Sequence, residues 1–368
     1  MDLSPASIQE AYTLITPHIH RTPLLTCSTL DTLASTPQSV ADLANTPFAG
    51  LEPAHPRFRF FFKCENYQRI GAFKARGAFH ALIRLLQGGE DVRTRGVITH
   101  SSGNHAQALA LAAKTLDIPA YVVMPEISTP SKIAGTRAHG ATVVFSGSTS
   151  EEREAVVRDL QAQTGAILVP PYDDANVICG QGTTGLEMQA QYEALVEQTP
   201  RLSVHPEQKV LDAVITPIGG GGLNAGVATY FSDKTTKVFG AEPSFEGADD
   251  CRRGLEGGVR VESVKTLTIA DGLRTPVGIL NWAVISDPSK VAGVYAVTEE
   301  QIKAAMRLVL ERMKVVVEPS AVVGLAVCLF NEEFRRLVEK EGGDQGWDVG
   351  IVFSGGNTTV EAIGKLFT

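Results

Sequence analysis

From residue 96 onward, short β-branched apolar runs alternate with longer stretches in which apolar positions recur at helical spacing. The runs fall at 96–99, 120–124, 141–145, 166–169, 213–216, 237–240 and 350–353, and the helical spacing covers 104–116, 151–164 and 299–313. Strand and helix taken by turns predict parallel βαβ units, because a parallel strand pair needs a crossover and a helix both supplies it and covers a sheet face. The expected fold class is therefore α/β, built from open, mostly parallel sheets flanked by helices. With no internal repeat and no inter-domain linker, two lobes woven from one chain fit the pattern better than separate domains in series. Residues 35–57 break it: four prolines, few periodic apolar positions and no charge block predict a surface loop or a partly ordered insertion. Glycines at 254–258 and the pair at 342–343 also read as loops.

The chain has 368 residues, 43% hydrophobic and 20% charged, which is the make-up of a folded protein with a sizeable core. Its net charge of -8 carries no basic block, so the footprint of a nucleic-acid binder is missing and nothing suggests a membrane surface. Residues 1–20 lack the basic start and apolar run of a secretion signal, and no stretch reaches the ~18 apolar residues of a spanning helix. A cytoplasmic location is expected. The five cysteines, Cys27, Cys64, Cys179, Cys251 and Cys328, are odd in number and far apart, with no C-x-x-C pair. They indicate buried free thiols rather than a disulfide framework or a zinc knuckle. No H-E-x-x-H arrangement supports a catalytic zinc.

Three times an apolar strand runs into a glycine-bearing loop and on into a helix, at Thr99-His-Ser-Ser-Gly-Asn104, Pro217-Ile-Gly-Gly-Gly-Gly-Leu223 and Ser354-Gly-Gly-Asn357. Such loops converge where parallel α/β sheets bind ligands. The run Gly219, Gly220, Gly221, Gly222 is longer than a tight turn needs, and its backbone N–H groups can close around a phosphate at a helix N-terminus. The run does not fit the G-x-G-x-x-G fingerprint of a dinucleotide site. Lys74, in Gly71-Ala-Phe-Lys-Ala-Arg-Gly77, follows an aromatic residue and opens a helix of small residues, where an amine can be desolvated and made nucleophilic. A lysine, a phosphate cradle and convergent polar loops together are what pyridoxal 5′-phosphate (PLP) chemistry requires.

The sequence resembles the fold-type II PLP-dependent enzymes, the tryptophan synthase β-like fold, and within them the serine racemase and serine/threonine dehydratase group. The matching strings are Arg21-Thr-Pro-Leu24, Phe62-Lys-Cys-Glu-Asn66, Phe73-Lys-Ala-Arg-Gly-Ala78, Ser101-Ser-Gly-Asn-His-Ala-Gln107, Gly180-Gln-Gly-Thr183, Gly219-Gly-Gly-Gly-Leu223, Glu318-Pro-Ser320 and Ser354-Gly-Gly-Asn357. They keep the family's order and span nearly the whole chain. The resemblance implies a large cofactor lobe from residues 1–95 and 174–368, carrying the insertion 35–57, and a small mobile lobe at 96–173. It makes Lys74 the Schiff-base lysine, Phe73 the aromatic packed on the cofactor ring and Asn104 the partner of the ring hydroxyl. Gly219 to Leu223 hold the phosphate, Glu318 belongs to the cofactor-binding set and Ser354 faces the pyridine nitrogen, where a neutral serine favours β-elimination over transamination. The loop of Ser101, Ser102, Gly103 and Asn104, followed by His105, grips the substrate carboxylate, and Ser102 stands on the opposite cofactor face as a second proton donor. Capping of the helix that follows is compatible with that role.

A second resemblance, at Gly240-Ala-Glu-Pro-Ser244 and Ala248-Asp-Asp-Cys251, is to the divalent-metal site of serine racemases. Glu242, the Ala248 carbonyl and Asp250 supply hard oxygen ligands for Mg²⁺ or Ca²⁺ there, although Phe245-Glu246-Gly247 makes the spacer longer than the family's. Pro171-Tyr-Asp173 looks more like the dehydratases than the racemases. Arg153 lies where the family can place an arginine that reads the substrate side chain; a solvated helix charge is the alternative. The expected function is dehydrative deamination of L-serine and L-threonine to a 2-oxo acid and ammonia, with serine racemisation beside it, in a homodimer. Alternatives are racemisation as the main activity, elimination from threo-3-hydroxyaspartate, and a non-catalytic PLP-binding protein. The chain ends shortly after the Ser354 loop, so the C-terminal regulatory domain of the allosteric threonine deaminases is not expected.

Overall fold

The structure is a computed structural model that describes residues 2–101, 103–128, 130–147 and 150–368, and of Ser131, Ser150 and Glu151 the backbone alone. Among the described residues the strands are β1 (Leu24–Leu25), β2 (Phe58–Cys64), β3 (Val97–His100), β4 (Ala120–Pro125), β5 (Thr142–Ser146), β6 (Ile167–Leu168), β7 (Ala213–Pro217), β8 (Lys237–Pro243), β9 (Gly293–Val297) and β10 (Trp347–Phe353). They form a six-stranded sheet in the order β1-β2-β10-β7-β8-β9 and a four-stranded sheet in the order β5-β4-β3-β6. Every pairing is parallel except the short edge strand β1, which runs antiparallel to β2. This is the α/β architecture that the alternating pattern predicts.

The seven apolar runs all became strands, and β1, β2 and β9 were not among them. In β2, Phe-Arg-Phe-Phe-Phe-Lys-Cys, every residue but Arg59 is buried, as expected of an inner strand covered on both faces. Its two cations hid it from a search for apolar runs. The 14-residue helix Lys74–Gln87 lies between the two sheets: Ala75, Ala78, Phe79 and Leu82 share one apolar cluster with Val97, Leu109 and Val177. It thereby places Lys74 at the seam.

Two loop expectations need correction or sharpening. Residues 254–257 are the end of a helix, Asp250–Gly257, rather than a loop, because the bare face of Gly254 lets the helix approach the Trp282 ring, 3.0 Å from where a β-carbon would stand. Residues 35–57 run as turns over the surface, yet they are tied down. The buried Arg335 guanidinium donates to the carbonyls of Ala34, Thr36 and Ala54, and the Glu332 carboxylate accepts from the Ala54 N–H at 2.8 Å. The pair at 342–343 ends the helix Glu332–Gly342 as a loop start, with Gly343 at φ 51°.

Candidate active site

The three glycine-bearing loops leave the C-terminal ends of β3, β7 and β10 and meet at one place. Residue Phe73 donates its N–H to the Ser354 carbonyl at 3.0 Å, and Ala72 bridges to Gly355, so the chain before Lys74 is fastened to the loop after β10. Asn104, first residue of the helix Asn104–Thr115, donates its Nδ2 to Glu318 Oε1 at 3.0 Å and accepts at Oδ1 from Asn357 Nδ2 at 2.8 Å. Glu318 Oε2 accepts from the Asn357 N–H at 3.1 Å, which closes a ring of hydrogen bonds linking the two sheets. Burial, reinforced by Asp271 and opposed by Lys132, pushes the Glu318 carboxyl up to about 7.

Lys74 is half-buried, and its Nζ donates to the Pro171 carbonyl at 2.7 Å with the Phe73 and Tyr172 rings 5.1 and 6.0 Å away. Desolvation, with no carboxylate to offset it, lowers its ammonium from 10.5 to about 8. The neighbouring His105 ring donates Nε2–H to the Val169 carbonyl at 3.3 Å; burial, then the Lys74 charge, lowers it to about 3 and keeps it neutral.

The Tyr172 ring, 6.0 Å from this amine, lies against Gly220, and Gly219, Gly220, Gly221 and Gly222 are buried between β7 and the helix Gly222–Phe231. Gly221 adopts φ +90°, a conformation L side chains rarely take, and a β-carbon there would come within 2.9 Å of Asn281 Cβ. The Gly220 carbonyl is held from outside by Asn281 Nδ2 at 2.7 Å and the Gly278 N–H at 3.1 Å. No oxygen among the described residues accepts from the N–H groups of Gly219, Gly220 or Gly221. Buried donors without partners, at a helix N-terminus, are what a phosphate would satisfy. Together with a desolvated lysine they fit PLP.

Of the remaining predicted residues, Ser354 is buried at the end of β10, and Leu223 lies beneath the glycine loop. Arg153 comes close enough to His100, the residue before Ser101, and to Tyr172 to act on the titration of both. Gly103 N–H donates to Ser101 Oγ at 3.3 Å, but Gly103 itself is the helix N-cap and makes no side-chain cap. Ser102 lies outside the described residues.

Charged residues of the Phe62–Asn66 and Phe73–Ala78 strings form a buried ion network with Glu187. The fully buried Arg76 binds Glu65 through Nε at 2.7 Å and Nη2 at 2.8 Å, and Glu187 through Nη2 at 2.7 Å; Lys63 reaches Glu187 at 3.2 Å. Lys63 further donates to the Thr22 carbonyl and to Gln191 Oε1, while Thr22 Oγ1 donates to Glu65 at 2.6 Å. Two cations and two anions thus balance inside the protein, joining β2, the Lys74 helix and the helix Ala175–Gln198. Charged residues inside an apolar strand, Lys63, and inside a helix of small residues, Arg76, were the available signal.

The family model for pyridoxal-phosphate dependent enzymes matches residues 41–355. The chain belongs to that family. Within it, this PLP-family chain is 39% identical to the serine racemase of Dictyostelium discoideum over 363 residues, covering 98% of this chain and 96% of the relative. Maize serine racemase superposes with a TM-score of 0.80 at 35% identity, covering 99% and 96% of the two chains. The processed form of threonine deaminase isoform 2 from Solanum lycopersicum superposes with a TM-score of 0.76 at 29% identity, covering 98% and 86%. The family chain is therefore of fold type II, in the serine racemase and threonine dehydratase group, as its motifs predict. Among the described residues no helix is long and apolar enough to cross a membrane.

Proposed function

We propose that the protein is a PLP-dependent ammonia-lyase that removes water from L-serine and L-threonine, yielding a 2-oxo acid and ammonia, and that it racemises serine through the same first step. The observation that carries this reading is the pairing of a desolvated, half-buried amine, Lys74, with backbone donors at Gly219, Gly220 and Gly221 that find no acceptor among the described residues. Bound PLP supplies the electron sink that lets an amino acid's Cα–H bond break. The Lys74 Nζ, lowered to about 8, is neutral in an appreciable fraction near neutral pH and takes the Cα proton from one face. Of the two Asn104 amide hydrogens one is spent on Glu318, which leaves the other for the ring hydroxyl. Phe73 packs on the ring, and Ser354 offers the pyridine nitrogen a neutral partner. The loop from Ser101 to His105 orients the substrate carboxylate, and Arg153, beside His100 and Tyr172, borders the space for its side chain.

Racemisation needs a proton delivered to the other face, and the family motif assigns that to Ser102. Ser102→Ala should therefore suppress L-to-D conversion about a hundredfold or more, the low end of general-acid contributions of about 10²–10⁴, while pyruvate formation from L-serine falls less. Chiral chromatography beside a pyruvate assay decides it: equal loss of both activities reduces Ser102 to shaping the carboxylate loop.

The same reading includes a divalent cation at Glu242, the Ala248 carbonyl and Asp250. Among the described residues no cluster of three or more His, Cys, Asp or Glu could hold a metal, so the backbone carbonyl is needed to complete the set. The longer spacer is taken up by Glu246 at φ 49°, and all three residues are buried. Burial and then the Asp250 charge raise Glu242 well above the ordinary carboxylate range, and burial brings Asp250 to about 6. A hard cation relieves two carboxylates that repel each other in this way. Chelation should lower the thermal midpoint, and Mg²⁺ or Ca²⁺ should restore it, because a ligand bound only by the native state stabilises it. An EDTA-treated protein with an unshifted melt argues against the ion. A mobile small lobe at 96–173, a homodimer and a cytosolic location complete the proposal, by resemblance to the family.

A further inference from the structure

Lys132 and Asp271 form an ion pair at 2.5 Å that runs from one sheet to the other. Lys132 stands on the helix Pro130–Ala138, between β4 and β5 of the four-stranded sheet, and Asp271 opens the turn Asp271–Leu273, between β8 and β9 of the six-stranded sheet. Both ends touch the site. The Lys132 Nζ lies 3.9 Å from where a β-carbon on Gly103 would stand, beside the loop read above as the carboxylate grip. The Asp271 turn packs on the glycine loop: the Gly272 carbonyl is 2.9 Å from the corresponding position on Gly219, and the Gly272 N–H donates to Ser320 Oγ at 3.0 Å. Glu318, which holds Asn104, feels Asp271 and Lys132 with opposite sign.

We propose that Lys132 is a positioning residue for the substrate carboxylate, and that Asp271 acts through it by latching the four-stranded sheet's Gly103–Asn104 segment over the glycine loop. The chemistry is simple. An anionic substrate group arriving at Gly103 meets an ammonium that is already aimed and only partly exposed, its side chain at 19%, so little side-chain entropy remains to be lost on binding. Asp271, at 41% exposure, fixes that aim without contacting the substrate and balances the lysine's charge while the cleft is empty. The proposal rests on the carboxylate reading of the loop, and its test must separate the two.

The experiment is a double-mutant cycle on the PLP-loaded full chain with Lys132→Met, Asp271→Asn, both together, and the charge exchange of Lys132→Asp with Asp271→Lys. Two measurements are made: amide hydrogen exchange over 104–107 and 130–138 without substrate, repeated with L-serine in the unaltered protein, and the KM and kcat for L-serine. A part-exposed ion pair of this kind is worth roughly a three- to fivefold effect. Each single change should raise exchange in both segments and raise KM by about that factor, more than it lowers kcat. The double variant should be no more open than either single one, since both remove the same interaction. The charge exchange should recover the exchange protection but not the KM, because it puts an anion beside Gly103. Unchanged exchange in the single variants, or additive effects in the double, overturns the latch. Raised exchange with an unmoved KM in every variant overturns Lys132 as a positioning residue, whereas the carboxylate reading of Gly103 and Asn104 fails separately, if L-serine leaves exchange over 104–107 unchanged in the unaltered protein.

Discussion

Lys74→Ala should lose turnover of L-serine by about a thousandfold or more, since general-base contributions alone reach about 10²–10⁴, and should lose the visible absorption band of bound PLP. Both follow from one side chain being the cofactor's anchor and the base. The fold should survive, because among the described residues the Lys74 Nζ makes one hydrogen bond, to Pro171, and no ion pair. A further signature separates loss of the lysine from general damage. Lys74 titrates at about 8 when folded and near 10.5 when unfolded, so between those values the unfolded chain binds the extra proton and its contribution favours folding increasingly as pH rises. The apoprotein should therefore gain stability across that window, and Lys74→Ala should flatten the gain. Urea unfolding of both apoproteins at a series of pH values tests it, alongside spectra and steady-state assays. A variant that stays coloured and active overturns the assignment of Lys74.

The largest effect on stability is expected from Arg76→Met. The change strands Glu65 and Glu187 inside the protein without the guanidinium that neutralises them, and breaking a buried ion pair from one side costs about 3–5 kcal/mol. Burial pushes the Glu65 carboxyl up, and the Arg76 charge and hydrogen bonds, joined by Lys63 and Thr22, more than reverse this. Exposed pairs give the contrast: Arg158 and Glu154, with side chains 67% and 57% exposed, should cost less than about 1 kcal/mol when separated. Urea denaturation of Arg76→Met beside Arg158→Ala makes the comparison within one protein. Equal small losses would mean that water or a neighbouring group compensates the two glutamates. Since Arg76 stands two positions after Lys74 on the same helix, the variant should also hold PLP less firmly, seen as faster loss of colour on dialysis.

How much of this was legible depended on whether a signal was local. The alternation of runs from 96 onward marked seven strands because each parallel strand is apolar on both faces and separated from the next by a helix. The strand Phe58–Cys64 escaped since it precedes the alternating region, pairs with β10 some 290 residues later, and carries Arg59 and Lys63 among its phenylalanines. The loop expected at 254–258 failed for the opposite reason: glycine is a poor helix former locally, but Trp282 needs the missing side chain, and tertiary contact overrode propensity. At the site, the glycine run and Lys74 were legible as chemistry before any likeness was considered. The ring of Glu318, Asn104 and Asn357 was not, as its members come from three distant segments.

The sequence by itself determined the α/β class and the identity of the cofactor family, because these rest on periodicity and on strings whose meaning survives without coordinates. Only the tertiary structure decided what the site residues experience. That among the described residues Lys74 has no carboxylate beside it and the N–H groups of Gly219 to Gly221 find no acceptor, that Arg76 is neutralised by two glutamates, and that Lys132 meets Asp271 across the sheets are facts about distance and burial. The physical reason is that desolvation and Coulomb terms depend on neighbours brought together by folding from distant parts of the chain, as Asn104 and Asn357 are across 253 positions.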